Sequence, residues 1–278
     1  LDKKLKYNMR FSINKYLSCL TQHKISKISL KVRNISQHQS FVPKSSDELY
    51  DLHIQTSPLQ KIMLTVGSAF AALYNPYRGD MVAALGETTG HLALQKLHLQ
   101  MLNDDTGYRI LKEKPIIDSH ILDIKKLLCY PKNTLGYCYG NFMHSQNLSA
   151  DDRSPVRFVD NTELAYVMKR YRQIHDFCHV ILGFSVDVSA EIVVKWFECF
   201  HFNLPMAALS SVFGPLALNQ VEQKELINYI PWAVFTGMSA KPFLNVYFEK
   251  NLERDIFELR NELHVYEPPK NGLLHKYW

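Results

Sequence analysis

An all-α fold is what this sequence predicts: a single, mostly helical domain over residues 47–278 behind a basic segment at residues 1–46. Three observations predict it. From about residue 47 the residue pattern is mostly helical. Ser57-Pro58 is a good helix start, pairing a capping hydroxyl with a proline that loses no hydrogen bond at the first helical position. Strand-like alternation is confined to two weak stretches, IIDSHI (116–121) and VRFVD (156–160).

In chain order, the first helix should run from Pro58 to Tyr74 and stop before the turn NPYRGD. Asp80 should open a second helix through MVAALGETTGHLALQKLHLQML, in which Gly86 and Gly90 signal close packing or a kink. NDDTGYRILKEKP (103–115) reads as a turn and a short element. Further helices are expected at 119–128, 132–145, 161–182, 189–203, 206–218, 221–229 and 246–263. DDRSPVRF (151–158) reads as an exposed loop. No repeat or low-complexity linker divides the body.

The net charge of +5 is unevenly distributed. Residues 1–46 hold ten Lys or Arg against one acid, Asp2, whereas the remainder has 22 basic and 26 acidic residues. The body is mildly acidic, so nucleic-acid binding is not indicated. The first segment is also rich in Ser, the make-up of a mitochondrial transit peptide, with a plain basic tail as the alternative. Its excess of Lys over Arg counts against transit. Five cysteines without a CxxC pair fit a reducing compartment better than a disulfide framework. The longest apolar stretch, Ile62 to Tyr74, is interrupted by Thr65, Gly67 and Ser68 and falls short of the roughly 18 residues that a spanning helix needs. A membrane-surface protein remains compatible.

RQIHDFCHVILG (172–183) carries the chemistry. His175 and His179, four apart, share a helix face, and Asp176 lies a quarter-turn round. Gly183 should end this helix and Ser189 cap the next, which places Glu191 in its first turn, favoured there by the helix dipole. If the helices pair, the four side chains form a two-histidine, two-carboxylate set suited to Zn²⁺, Fe²⁺ or Mn²⁺. Cys178 points to another face. Two histidines at this spacing are more often packing residues than ligands, so the bare motif leaves both readings open. HExxH is not met, and an HD-type phosphohydrolase would need ligands such as His120, Asp123 or His264, which have no supporting spacing. GETTG (86–90) lacks the ending of a phosphate loop; Glu87, Arg78 and Asp80 are expected in a polar contact or a subunit surface. Asp187 is expected as a turn residue rather than a partner of the ligands. The apolar richness of 58–74 and 196–218 could line a channel, but core is the expected use.

HDFCH followed by Glu191 resembles the signature of the mitochondrial ubiquinone-biosynthesis family numbered fourth in the COQ series. The resemblance continues through LYDLHIQTSPLQKIMLTVGSAFAALYNPYRGDMVAALGETTG (49–90), TLGYCYGNFM (134–143), ELAYVMKRYRQIHDFCHVILG (163–183), EIVVKWFE (191–198) and YIPWA (229–233). It covers about residues 47–263. Gln55 departs from the usual proline without touching a ligand position. The resemblance implies an all-α fold and a divalent metal, assigned as zinc with Fe, Mn or Mg also admissible, at His175, Asp176, His179 and Glu191. It further implies a carbon–carbon lyase that decarboxylates a polyprenylated 4-hydroxy-3-methoxybenzoate at C1, alone or coupled to hydroxylation. A non-catalytic lipid-binding scaffold with a structural metal is the alternative. The implied setting is peripheral, on the matrix side of the mitochondrial inner membrane, in a multi-subunit complex with other ubiquinone-biosynthesis proteins. A homodimer is compatible.

Overall fold

The computed structural model describes residues 49–75 and 78–269, so the basic segment and the Pro76-Tyr77 part of the first turn lie outside the described residues. The described chain is helical, as expected, and contains no strand; an isolated bridge joins Thr134 to Asp255. The helices are α1 (Pro58–Tyr74), α2 (Gly79–Thr89), α3 (His91–Leu102), α4 (Asp105–Glu113), α5 (Ile124–Leu127), α6 (Leu135–Ser145), α7 (Thr162–Leu182), α8 (Val188–Phe202), α9 (Pro205–Phe213), α10 (Gln220–Ser239) and α11 (Ile256–Glu262). None is long and apolar enough to cross a membrane.

Local chemistry sets most starts. Ser57 caps α1 in a reciprocal box with Gln60, so two amides that the helix cannot satisfy find side-chain acceptors. The expected long second helix breaks at Gly90 into α2 and α3. Gly86 marks close packing: a Cβ there would sit 2.4 Å from Met206 Sδ on α9. Elsewhere the expected spans shrink or grow. Most of 119–128 is a turn whose amides bond to Asp118, before Asp123 caps the short α5. Residues 246–263 begin with a 3₁₀ turn at Phe248–Lys250, and only α11, capped by Asp255, is α-helical. α10 runs past its expected end, straight through Pro231. A proline inside a helix costs about 3 kcal/mol. Burial of Trp232, Ala233, Thr236 and Gly237, beyond that proline, offsets it.

α7 is the central element. It packs against α3, α4, α6 and α8, and most of its residues are buried. Gly183 ends it with φ 83°, a left-handed conformation that other residues adopt at a cost. The chain then turns into α8, which packs on α9 and α10. Asp187, not Ser189, caps α8: its extended backbone lets a carboxylate oxygen accept from the Ala190 amide at 3.0 Å, and Ser189 is buried inside the helix. Glu191 still falls in the first turn.

One expectation about burial is overturned. The apolar residues of α1 are not core: Leu59, Met63, Val66 and Phe70 are 68%, 66%, 50% and 70% exposed, and Ser68 is the buried residue of that helix. Periodicity places residues on one face but cannot say what covers it. Glu87 makes the polar contact that was one of its two expected uses, and it makes it buried. Its carboxylate accepts from Arg172 Nη2 at 2.5 Å and from the amides of Arg157 and Phe158 at 2.7 and 2.6 Å. Arg78 and Asp80 do pair at the surface.

Candidate metal centre

Two matched stripes build the site. On α7, Tyr171, His175 and His179 follow one another at i, i+4 and i+8; on α8, Glu191, Lys195 and Glu198 follow at i, i+4 and i+7. The helices bring the stripes face to face. His179 Nε2 lies 2.9 Å from Glu191 Oε2, His175 Nε2 lies 3.5 Å from Glu191 Oε1, and the two Nε2 atoms are 3.3 Å apart. One donor atom from each of these three residues falls within 4.8 Å of the others.

The outer nitrogens decide what those atoms can do. His179 Nδ1 faces the Ser185 carbonyl at 2.9 Å, and His175 Nδ1 faces Glu198 Oε1 at 2.8 Å. Both partners only accept, so in neutral imidazoles each Nδ1 carries the proton and each Nε2 presents a lone pair. Two lone pairs and a carboxylate then converge on one point. With the outer protons placed this way, the donor set fits a divalent metal. The surrounding carboxylates favour a positive charge here, whether a second proton on His175 or a metal ion. Burial and Lys195 oppose a charged His175, yet Glu198 and Glu191 outweigh them and raise it to about 10 without a metal. Burial likewise opposes ionised Glu198, but Lys195 and His175 hold it down at about 2. Glu191 is held well below the carboxylate range against burial, mainly by Lys195 and His175.

Asp176 is not brought into the group. Its Oδ2 accepts from Arg153 Nη2 at 2.6 Å and Nε at 3.1 Å, and Arg153 also donates to the Ile117 carbonyl. Cys178 is fully buried on the core side, its thiol pushed up by burial. Glu198, Lys195 and Tyr171 were not among the sequence candidates, although the Glu191–Lys195–Glu198 spacing carries the signal. Arg153 had none, since it reaches Asp176 from an irregular segment.

His175, Glu191 and Lys195 line a cavity of about 970 Å³ whose other walls include Leu85, Ile192, Met206 and Phe213. Leu73 and Tyr74 of α1 and Leu216 line it too.

Fold and site together define a helical protein with a two-histidine, one-carboxylate centre at a largely apolar cavity. The chain belongs to the coenzyme Q (ubiquinone) biosynthesis protein Coq4 family, whose family model matches residues 50–269. It is 48% identical over 222 residues to the mitochondrial ubiquinone biosynthesis protein COQ4 homolog of Homo sapiens, covering 80% of this chain and 84% of that one. The Schizosaccharomyces japonicus counterpart is 41% identical over 231 residues, covering 82% and 97%. A Nostoc punctiforme crystal structure shares the fold, with a TM-score of 0.58 at 18% identity over 74% of this chain and 99% of that chain. The protein thus acts in ubiquinone biosynthesis, in the mitochondrion.

Proposed function

We propose that this protein removes the C1 carboxylate from a polyprenylated 4-hydroxy-3-methoxybenzoate, with a divalent ion held by His175, His179 and Glu191. The observation that carries the reading is the convergence of three acceptors, two of which line a largely apolar cavity. The apolar walls suit a polyprenyl tail and the charged wall suits an anionic ring. Glu191 at the cavity and Glu198 buried behind it stand against one ammonium, Lys195. A divalent ion added to them leaves one positive charge, which matches one benzoate carboxylate.

When bound, the ion supplies Lewis-acid stabilisation of the carboxylate or of the para oxygen. The chain does the rest. Apolar walls strip water from the carboxylate, and Lys195 Nζ keeps the anion oriented. A proton adds to C1, the bond from C1 to the carboxyl carbon breaks, and CO₂ leaves as the ring regains aromaticity. Asp176, held by Arg153, lines the same cavity and is the candidate fourth ligand on the strength of the family resemblance.

A scaffold with a structural metal is the second reading, favoured by the way the same cluster fastens α7 to α8. It would serve the other ubiquinone-biosynthesis proteins of a complex. Purified protein given the prenylated benzoate, with no partner present, separates the two. Metal-dependent CO₂ release is expected; intact metal binding without any release would leave the scaffold.

A peripheral position on the matrix face of the inner membrane accompanies this reading. Its support is the exposed α1 stripe, which continues into Leu73 and Tyr74 at the cavity. Burying one large apolar side chain is worth about 1.5–3 kcal/mol, so Phe70→Glu is expected to weaken binding to phosphatidylcholine vesicles roughly tenfold or more. Co-sedimentation measures it, and unchanged binding would remove α1 from the membrane face.

A further inference from the structure

We infer that Glu198 is a positioning residue for the metal centre: its buried carboxylate fixes the His175 ring so that Nε2 is aimed at the ion. The inference rests on the metal reading above. Glu198 is fully buried on α8, and every partner that it has here is a donor. Tyr171 Oη donates to Oε2 at 2.7 Å and Lys195 Nζ donates to the same oxygen at 2.8 Å. These two occupy Oε2 and leave Oε1 to His175 Nδ1. A buried carboxylate with its partners removed is costly, so the three donors and the acceptor hold one another in place.

The arrangement has two consequences. The proton of His175 is kept on Nδ1, which leaves the Nε2 lone pair facing Glu191 and His179. An ionised carboxylate also makes the imidazole more electron-rich than a carbonyl does, so His175 is the stronger donor and His179, on the Ser185 carbonyl, the weaker. Lys195 adds a link, since its ammonium also reaches Glu191 Oε1 at 3.2 Å. One cation therefore orients the ligand carboxylate and the outer carboxylate together. The alternative role for Glu198 is only to neutralise buried Lys195.

Zinc titration against a chelator, together with ¹⁵N–¹H spectra of the zinc-loaded protein labelled at histidine, separates these roles. Glu198→Gln keeps the shape and removes the charge. Expected are a ten- to hundredfold loss of zinc affinity, the range typical of outer-shell partners, and an upfield move or loss of the His175 Nδ1–H signal with that of His179 unmoved. Tyr171→Phe, which removes one donor to Glu198, should shift both readouts in the same direction by less, and it decides the matter if Glu198→Gln does not fold. Wild-type protein that takes up no zinc would overturn the metal reading and this inference with it. Wild-type zinc binding with unchanged affinity in the variant would overturn this inference alone. So would an affinity loss with the His175 signal unmoved, which leaves Glu198 as a counter-ion to Lys195.

Discussion

Glu191→Ala is expected to abolish zinc binding and CO₂ release together while the protein stays folded. Glu191 supplies the one carboxylate among the three converging acceptors, and it approaches both histidines. Truncation leaves two neutral imidazoles and an Asp176 already neutralised by Arg153, a set too weak to hold a divalent ion against water. The loss should exceed the roughly hundredfold that outer-shell variants reach. The fold should survive for a specific reason. Glu191 is partly open to the cavity, and Lys195, which bonds to it, retains Glu198 at 2.8 Å. No buried charge is left unpaired, so the large penalty for breaking an ion pair does not arise. His175→Ala should match it in metal and activity but destabilise more, because it strips a donor from the fully buried Glu198. Zinc content after gel filtration, CO₂ release and thermal unfolding check the three statements. Full turnover by metal-free protein would sink the mechanism.

What the residues disclosed in advance was what depends on near neighbours. The start of α1 lies in the Ser57–Gln60 box, and the pairing of His175 with His179 follows from four-residue spacing on one helix. Glu191 was reachable because a glycine stop and a short connection bring α8 back alongside α7. Long-range partners were not legible. Asp176 is bound to Arg153, 23 residues away, and Glu87 to Arg172, 85 residues away, each through an irregular segment or a helix crossing without periodicity. Nor could local propensity carry α10 through Pro231, since packing beyond the proline decides it. Asp187 rather than Ser189 shows the same limit on a smaller scale. Both types cap well, and the backbone path after Phe184 chose between them.

Glu87→Ala should be strongly destabilising, although Glu87 touches none of the converging acceptors. The wild-type carboxylate accepts from Arg172 and from two backbone amides, those of Arg157 and Phe158. Alanine leaves a largely buried guanidinium and two amides without this acceptor. Removing one partner of a buried pair costs about 3–5 kcal/mol. In a domain of this size each kcal/mol lowers the melting temperature by about 2–4 °C, so a fall on the order of 10 °C is expected in calorimetry. The damage should spread along one route. Arg172 stands in the wall between the large cavity and a second of about 720 Å³, and Arg153, which holds Asp176, lines both as well. Freeing the segment around Arg157 slackens that wall, while His175, His179 and Glu191 keep their own partners on α8 and in the turn before it. Zinc should therefore still bind to the folded fraction at low temperature while turnover falls, the reverse of a ligand variant, in which zinc is lost and the fold remains.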